Sequence, residues 1–139
     1  MRRVFALFLV VVTASCSLSD EDTNFEFVRL SVESAEAPES VFINVPFEIQ
    51  VNYLRPTDCH FVEGFELLSV DESINTFTYA LIGSFIDQNA CQVPESNELQ
   101  IGLDFVISIP GSYIFRFWQG TDDEGQDQFL TLQIPVGLE

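Results

Sequence analysis

The chain of 139 residues carries 22 acidic and only 5 basic residues, so its formal net charge at neutral pH is −17. Phosphate binding depends on clustered lysine and arginine, and this chain has no lysine. Nucleic acid is therefore a very poor partner, and direct adhesion to an anionic lipid surface is disfavoured. Apolar residues make up 47% of the chain, which argues against a disordered acidic polymer.

The first fifteen residues have the pattern of an export signal. Arg2 and Arg3 precede an apolar run at 4–12, which is too short to cross a bilayer, where about 20 residues are needed. Small residues at 13–15 then lead to Cys16. This pattern resembles the bacterial lipoprotein signal, which implies that residues 1–15 are removed and that Cys16 is lipidated. An ordinary secretory signal with an incidental cysteine is the alternative.

An acidic run follows Cys16 in the segment 16–24, which we interpret as a linker. The run at 20–22 resembles the signal that exports Bacteroidetes-type lipoproteins to the outer face of the outer membrane. The resemblance implies an envelope protein exposed on the cell surface, with the periplasmic face as the alternative. Without the signal, three arginines stand against 22 acidic residues, a formal charge of −19. Residues 25–139 have the length of one domain.

Alternation of apolar and polar residues, typical of half-buried strands, recurs along most of the chain after residue 24. It is clearest at 47–53 and 99–109, where every odd-numbered residue is apolar. Further strands are predicted at 25–33, 41–46, 59–70 and 74–86, with Gly83 marking a bulge, and 87–97 is predicted to be a loop. No segment has a sustained helical period with caps.

The chain closes with a long antiparallel hairpin, around which we expect the fold to form. Its aromatic-rich arms at 110–120 and 128–136 are separated by a charged turn at 121–127. Such a hairpin needs a second layer of strands to cover its apolar face. About seven strands in this length are typical of a β-sandwich.

Two segments carry a more specific resemblance. Pro110-Gly111-Ser112-Tyr113 is similar to the tyrosine corner of immunoglobulin-like domains, and 38–49 is similar to the opening strands of bacterial immunoglobulin-like modules. The resemblance implies an immunoglobulin-like antiparallel β-sandwich in which the Tyr113 hydroxyl bonds to backbone upstream. Taken whole, the chain resembles small outer-membrane lipoproteins of the Bacteroidetes type. A fold-level resemblance implies no activity.

Cys59 and Cys91 remain once Cys16 is assigned to lipid. Two cysteines left over in an exported chain most simply pair, and we expect the bridge to tie the 87–97 loop to the strand or turn at Cys59. A bridge closing this loop would contribute about 3–4 kcal/mol. A metal site or a reactive thiol is the less favoured alternative.

The residues for catalysis are few. His60 is the only histidine, and neighbours on a strand point to opposite faces, which makes a pair with Cys59 implausible. The ligands of a copper site are missing, and no Gly-x-Ser-x-Gly elbow is present. Carboxylate catalysis stays open because 22 acidic residues are available. We expect no cofactor and no enzymatic activity.

Two surface features are candidates for binding. Acidic residues around Gly125 at the hairpin tip form a weak candidate for calcium: Asp122, Asp123, Glu124 and Asp127. On the hairpin arms, the residues predicted to face outward form a candidate binding patch of mixed aromatic, aliphatic and basic character: Ile114, Arg116, Trp118 and Phe129. A neighbouring loop that covers Trp118 would be the structural alternative.

These features predict a non-catalytic, envelope-anchored lipoprotein that binds a protein, a glycan or an envelope component. A periplasmic inhibitor or chaperone-like accessory protein is the first alternative. A hydrolase that uses surface carboxylates is the second.

Overall fold

A computed structural model describes residues 25–88 and 90–138. The predicted signal peptide at 1–15, the lipidation site Cys16 and the linker at 16–24 lie outside the described residues. Nearly all of the regular structure is β. The strands are β1 Phe25–Leu30, β2 Val32–Glu36, β3 Val41–Phe42, β4 Phe47–Leu54, β5 His60–Asp71, β6 Thr76–Ile86, β7 Glu98–Phe105, β8 Gly111–Thr121 and β9 Asp127–Gly137.

The strands form two sheets that pack face to face, and the predicted all-β sandwich is confirmed. In the large sheet, β5 lies along one side of β6, while β1 and β8 share its other side, β1 at residues 81–86 and β8 at residues 76–79. Beyond β8 the order continues with β9 and β3, and the small sheet has the order β2-β4-β7. One short 3-10 turn, Glu72–Ile74, joins β5 to β6. Within 25–88 and 90–138, no helix is long and apolar enough to cross a membrane.

The first predicted strand is divided between the two sheets at Ser31. Its first half, β1, pairs with β6, and its second half, β2, pairs with β4. The Ser31 hydroxyl donates to the backbone carbonyl of Gln119, and the Gln119 side-chain amide donates to the carbonyl of Val32 at 3.1 Å. These contacts hold the switch point, and the division adds one strand to the predicted set; the structure has nine in the described residues.

Five strand pairings are antiparallel, as predicted, and two are parallel: β3 with β9 and β6 with β8. The parallel pair β6–β8 arises because the chain crosses to the small sheet as β7 before it returns, and parallel neighbours need such a crossover. In the usual immunoglobulin order the penultimate strand, F, lies beside strand C. Here the penultimate strand, β8, lies beside β6, which is the second strand of the β5–β6 hairpin.

The core fills the space between the sheets with the inward-facing residues of the strands, which are the odd-numbered ones in β4 and β8 and the even-numbered ones in β9. Phe115 and Phe117 are fully buried, and Phe105 packs against Phe115 with a ring-centroid distance of 4.7 Å. The tyrosine corner is confirmed, since the buried Tyr113 donates its hydroxyl to the carbonyl of Ile109 at 2.9 Å. The other core residues include Leu30, Val32, Val41, Phe47, Ile49, Val51, Tyr53, Tyr79, Leu81, Ile107, Ile134 and Val136.

Three local predictions need correction. The run 99–109 leaves the sheet at Phe105, and the side chain of Ile109 is 69% exposed. The run 41–46 is a strand only at Val41–Phe42, since a turn with Asn44 at φ 60° follows it. The bulge lies on β5 between Val62 and Gly64, opposite Gly83 and not at it.

The predicted disulfide is confirmed. Cys59 stands immediately before β5, and Cys91 lies in the loop between β6 and β7, with 5.4 Å between their Cα atoms. Asp58 adds two further links, since its amide donates to the Gln92 carbonyl and its carboxylate accepts from the Gln92 amide at 2.8 Å. The loop is therefore fastened to the end of the large sheet.

Candidate binding face

The two outer faces of the sandwich differ in chemistry. The outer face of the small sheet is chiefly polar, and none of the residues in its three strands is basic. Its outward residues include four carboxylates and several uncharged polar groups: Ser34, Glu36, Glu48, Gln50, Asn52, Glu98, Gln100 and Asp104. The outer face of the large sheet instead carries aromatic rings and two of the three arginines that follow the signal: Arg29 and Arg116.

The hairpin β8–β9 supplies the centre of this face. Tyr113, Phe115 and Phe117 are buried, so the alternate residues Ile114, Arg116 and Trp118 point outward, as predicted. The register places Trp118 directly opposite Phe129. All four residues of the predicted patch thus share one face.

The rings of the hairpin are paired with guanidinium groups. Arg116 lies over Phe129 with its Cζ 4.3 Å from the ring centroid, and Arg29 lies over Trp118 at 5.7 Å. Contacts of this kind at exposed sites contribute about 0.5–1 kcal/mol each. We call Arg29, Arg116, Trp118 and Phe129 the arginine–aromatic patch.

Asp127 organises one half of the arginine–aromatic patch. One of its carboxylate oxygens accepts from the Trp118 indole nitrogen at 2.8 Å, and the other lies 3.9 Å from an Arg29 guanidinium nitrogen. Trp118 is half-buried, with Arg29 of β1 over its ring. Arg29 and Asp127 are 41% and 44% exposed, so this ion pair contributes little to stability.

Arg116 differs from Arg29 in its charge partners. In the part of the chain that the structure describes, Arg29–Asp127 is the only ion pair, and the Arg116 guanidinium lies over the ring of Phe129. A guanidinium group offers up to five donors in a planar fork. Arg116 is therefore available to bind the oxygens of a carboxylate or a phosphate.

Sequence reasoning missed two contributors to this face. Arg29 is brought to Trp118 only because β1 lies beside β6, next to the end of β8. Asp127 is one of the candidate calcium ligands in the sequence, but its position opposite Thr121 at the hairpin end brings its carboxylate to Trp118 and Arg29. Alternation in β1 indicated that Arg29 faces outward, but no sequence signal named its neighbour.

The acidic hairpin tip uses its carboxylates to close the turn. One oxygen of Asp122 accepts from the amides of Glu124 and Gln126, at 3.0 and 2.9 Å, and the other accepts from the side chain of Gln128 at 2.9 Å. Across the described residues, the one group of potential metal ligands within 4.8 Å of one another is Asp58, Cys59 and Cys91, which contains the disulfide. Calcium at the tip stays a prediction.

The catalytic candidates are not brought together. The sulfur of Cys59 is bonded to Cys91, so it cannot serve as a nucleophile beside His60. The His60 ring packs on Phe85 with a centroid distance of 4.8 Å, and its Nδ1 lies 2.8 Å from the Thr57 hydroxyl. Burial, the largest cause, lowers the pKa of His60 below 6.5; a hydrogen bond with the backbone of Thr57 raises it, and the charge of Arg55 lowers it further.

An open depression of about 280 Å³ lies near this histidine, lined by Phe25, Glu26, Phe85 and Asp87. It contains two carboxylates but not the imidazole, which packs against one lining residue, Phe85. Its lining residues among those described include no serine, cysteine or histidine.

Comparison of the chain with protein-family models, with curated proteins and with solved structures gave no match. The proposals that follow therefore depend on the sequence and on the geometry of the described residues.

Proposed function

We propose that the chain is a non-catalytic binding module of the bacterial envelope, held by lipid at Cys16, and that the arginine–aromatic patch is its binding surface. The single observation that carries this proposal is the contrast between the outer faces. One presents four carboxylates without a basic residue, and the other presents paired rings and guanidinium groups. In an acidic domain, a local concentration of arginine and aromatic side chains is typical of a binding hot spot.

The chemistry of the patch favours a partner with acidic oxygens beside a flat apolar surface. Arg116 provides the fork for a carboxylate or a phosphate, while the edges of Trp118 and Phe129 provide apolar contact. The net charge of the chain opposes approach over long distances, but this repulsion is screened beyond about 8 Å at physiological ionic strength. A protein or a glycan that carries such groups would fit.

A photoreactive amino acid at Thr131, which is exposed on β9 opposite Arg116, tests the binding face in living cells. The matched control carries the same group at Gln100, which is exposed on the outer face of the small sheet. We expect adducts from position 131 that are absent from position 100, and a several-fold loss of these adducts with Arg116→Gln or Trp118→Ala. Equal labelling from both positions would refute the proposal.

The periplasmic alternative, an inhibitor or chaperone-like protein, would use a sheet edge. Several described strands pair with only one neighbour, including β5 in the large sheet and β7 in the small sheet. On β5, two bulges and the carboxylates of Glu63, Glu66 and Asp71 discourage strand addition, whereas β7 pairs with β4 in an uninterrupted register and is the edge that this alternative would use. Protease treatment of intact cells distinguishes the two locations, since only a surface-exposed chain is cleaved.

For the hydrolase alternative, the depression that contains Glu26 and Asp87 is the candidate site. The double variant Glu26→Gln, Asp87→Asn would abolish activity on any substrate of such an enzyme. The photocrosslinking from position 131 would not change.

A further inference from the structure

A second feature of the large sheet's outer face lies at the end where the described chain begins. Phe25 and Phe27 of β1 contact each other edge to face, with ring centroids 4.8 Å apart. Phe61 of β5 is level with Phe27, because both residues pair with Ser84 of β6. We call Phe25, Phe27 and Phe61 the phenyl cluster.

The members of the phenyl cluster are open to solvent. Phe25 is 50% exposed, Phe27 66% and Phe61 42%. They are three of the four phenylalanines in the described chain that are this exposed. Ser84 between them is only 2% exposed, since Phe27 and Phe61 flank it and Glu63 accepts its hydroxyl hydrogen at 2.6 Å. The cluster therefore consists of a contacting pair, Phe25 and Phe27, with Phe61 on the other side of Ser84 on the same face.

The short distance in sequence between the phenyl cluster and the proposed anchor indicates which surface the cluster contacts. Phe25 follows Cys16 by nine residues. A chain advances at most about 3.3–3.6 Å per residue, so a lipid at Cys16 keeps Phe25 within about 30 Å of the bilayer surface. A tether this short gives an effective concentration in the millimolar range, at which even a weak contact is populated.

We propose that the phenyl cluster inserts into the interface of the bilayer that holds the anchor and so fixes the orientation of the domain. This inference rests on the proposed lipid anchor. Aromatic side chains favour the region of the lipid headgroups, and stable attachment combines an acyl chain with a second contact. The arginine–aromatic patch, which is farther from the N-terminal end of β1, stays available to a partner.

The charge near the cluster decides the type of lipid. Two charged residues neighbour the cluster on the same face: Glu63, which accepts a hydrogen bond from Ser84, and Arg29, which follows Phe27 by two residues and is already paired with Asp127 at 3.9 Å. We therefore expect contact with a zwitterionic phospholipid surface, and weaker contact when anionic phosphatidylglycerol is added.

The test uses the full lipidated chain in phosphatidylcholine vesicles, with Trp118→Phe in the background so that one introduced tryptophan reports its depth. Phe27→Trp is the probe. Leu138→Trp is the control, because Leu138 is 67% exposed, close to the 66% of Phe27, at the opposite end of the large sheet. With lipids brominated on their acyl chains, we expect several-fold stronger quenching for Phe27→Trp than for Leu138→Trp.

Equal quenching of the two variants in vesicles that float with bound protein would overturn the inference and leave the anchor intact. The same holds if the Phe27→Trp variant is unquenched and sediments as a dimer, since a second copy would then cover the cluster. If the unaltered chain fails to float and Cys16→Ser behaves in the same way, the lipid anchor is wrong and this inference is wrong with it.

Discussion

Tyr113, the tyrosine-corner residue, makes a measurable contribution to the free energy of unfolding. Its ring is buried and its hydroxyl donates to the Ile109 carbonyl at 2.9 Å, across the turn that opens β8. Tyr113→Phe keeps the ring and removes this hydrogen bond, so we expect the free energy of unfolding in urea to fall by about 1 kcal/mol.

Tyr53→Phe is the matched control for Tyr113→Phe. Tyr53 is also buried, at 3% exposure, and no hydrogen bond of its hydroxyl is found among the described residues. Its removal should change the free energy of unfolding by only a few tenths of a kcal/mol. Equal effects of the two substitutions would contradict the importance of the Ile109 contact.

His60 makes stability depend on pH in a defined direction. Burial, as the largest cause, lowers its pKa in the folded state from the ordinary 6.5, so between these two values the unfolded chain binds more protons. The contribution of neutral His60 is present above 6.5 and is lost as pH falls through the lowered pKa. We expect the stability difference between the parent chain and His60→Gln to shrink as pH is lowered from 7.5 to 5, in urea titrations. A difference that grows over this range would contradict the burial of the imidazole.

Gly83 and Gly102, two glycines in strands, differ in the atoms that an added side chain would meet. A Cβ at Gly83 of β6 would lie 2.7 Å from the backbone oxygen of Phe61 and 2.8 Å from Cδ1 of Leu30. A Cβ at Gly102 of β7 would meet only the end of the flexible side chain of Glu48, on the exposed outer face. Backbone cannot move aside, whereas a carboxylate on an open surface can.

We therefore expect Gly83→Ala to lower the free energy of unfolding by about 2–3 kcal/mol, the cost of overpacking. Gly102→Ala should change it by less than about 0.5 kcal/mol, as at other surface positions. Thermal or urea unfolding of both variants measures the difference. A mild effect at Gly83 would show that β5 can shift relative to β6.

The sequence predicts the positions of the strands better than it predicts which strands pair with each other. Alternation identified the inward residues of β4, β7 and β8, because one face of each strand is buried and the period of the side chains is two. It could not predict that Ser31 divides the first strand between sheets or that β8 lies beside β6, since these depend on contacts distant in the chain. The Arg29–Trp118 contact was hidden for the same reason.

The whole molecule combines a stable apolar interior with an unbalanced surface charge. The formal charge is −17, and Arg29–Asp127 is the one ion pair within 25–88 and 90–138, with its atoms 3.9 Å apart. Carboxylates also face each other directly, as Glu48 does Asp104 across β4 and β7. Repulsion among like charges therefore outweighs attraction in the folded state, where the carboxylates are closest together.

Added salt should stabilise this domain. Raising sodium chloride from about 0.01 M to 0.15 M shortens the screening length from about 30 Å to about 8 Å, which weakens repulsion over most distances between surface carboxylates. We expect the free energy of unfolding in urea, an uncharged denaturant, to rise over this range, and Glu48→Gln to reduce the rise because it removes one close pair. Stability that falls with salt would mean that attractive ion pairs dominate the surface, which would contradict the distribution of charge on both outer faces.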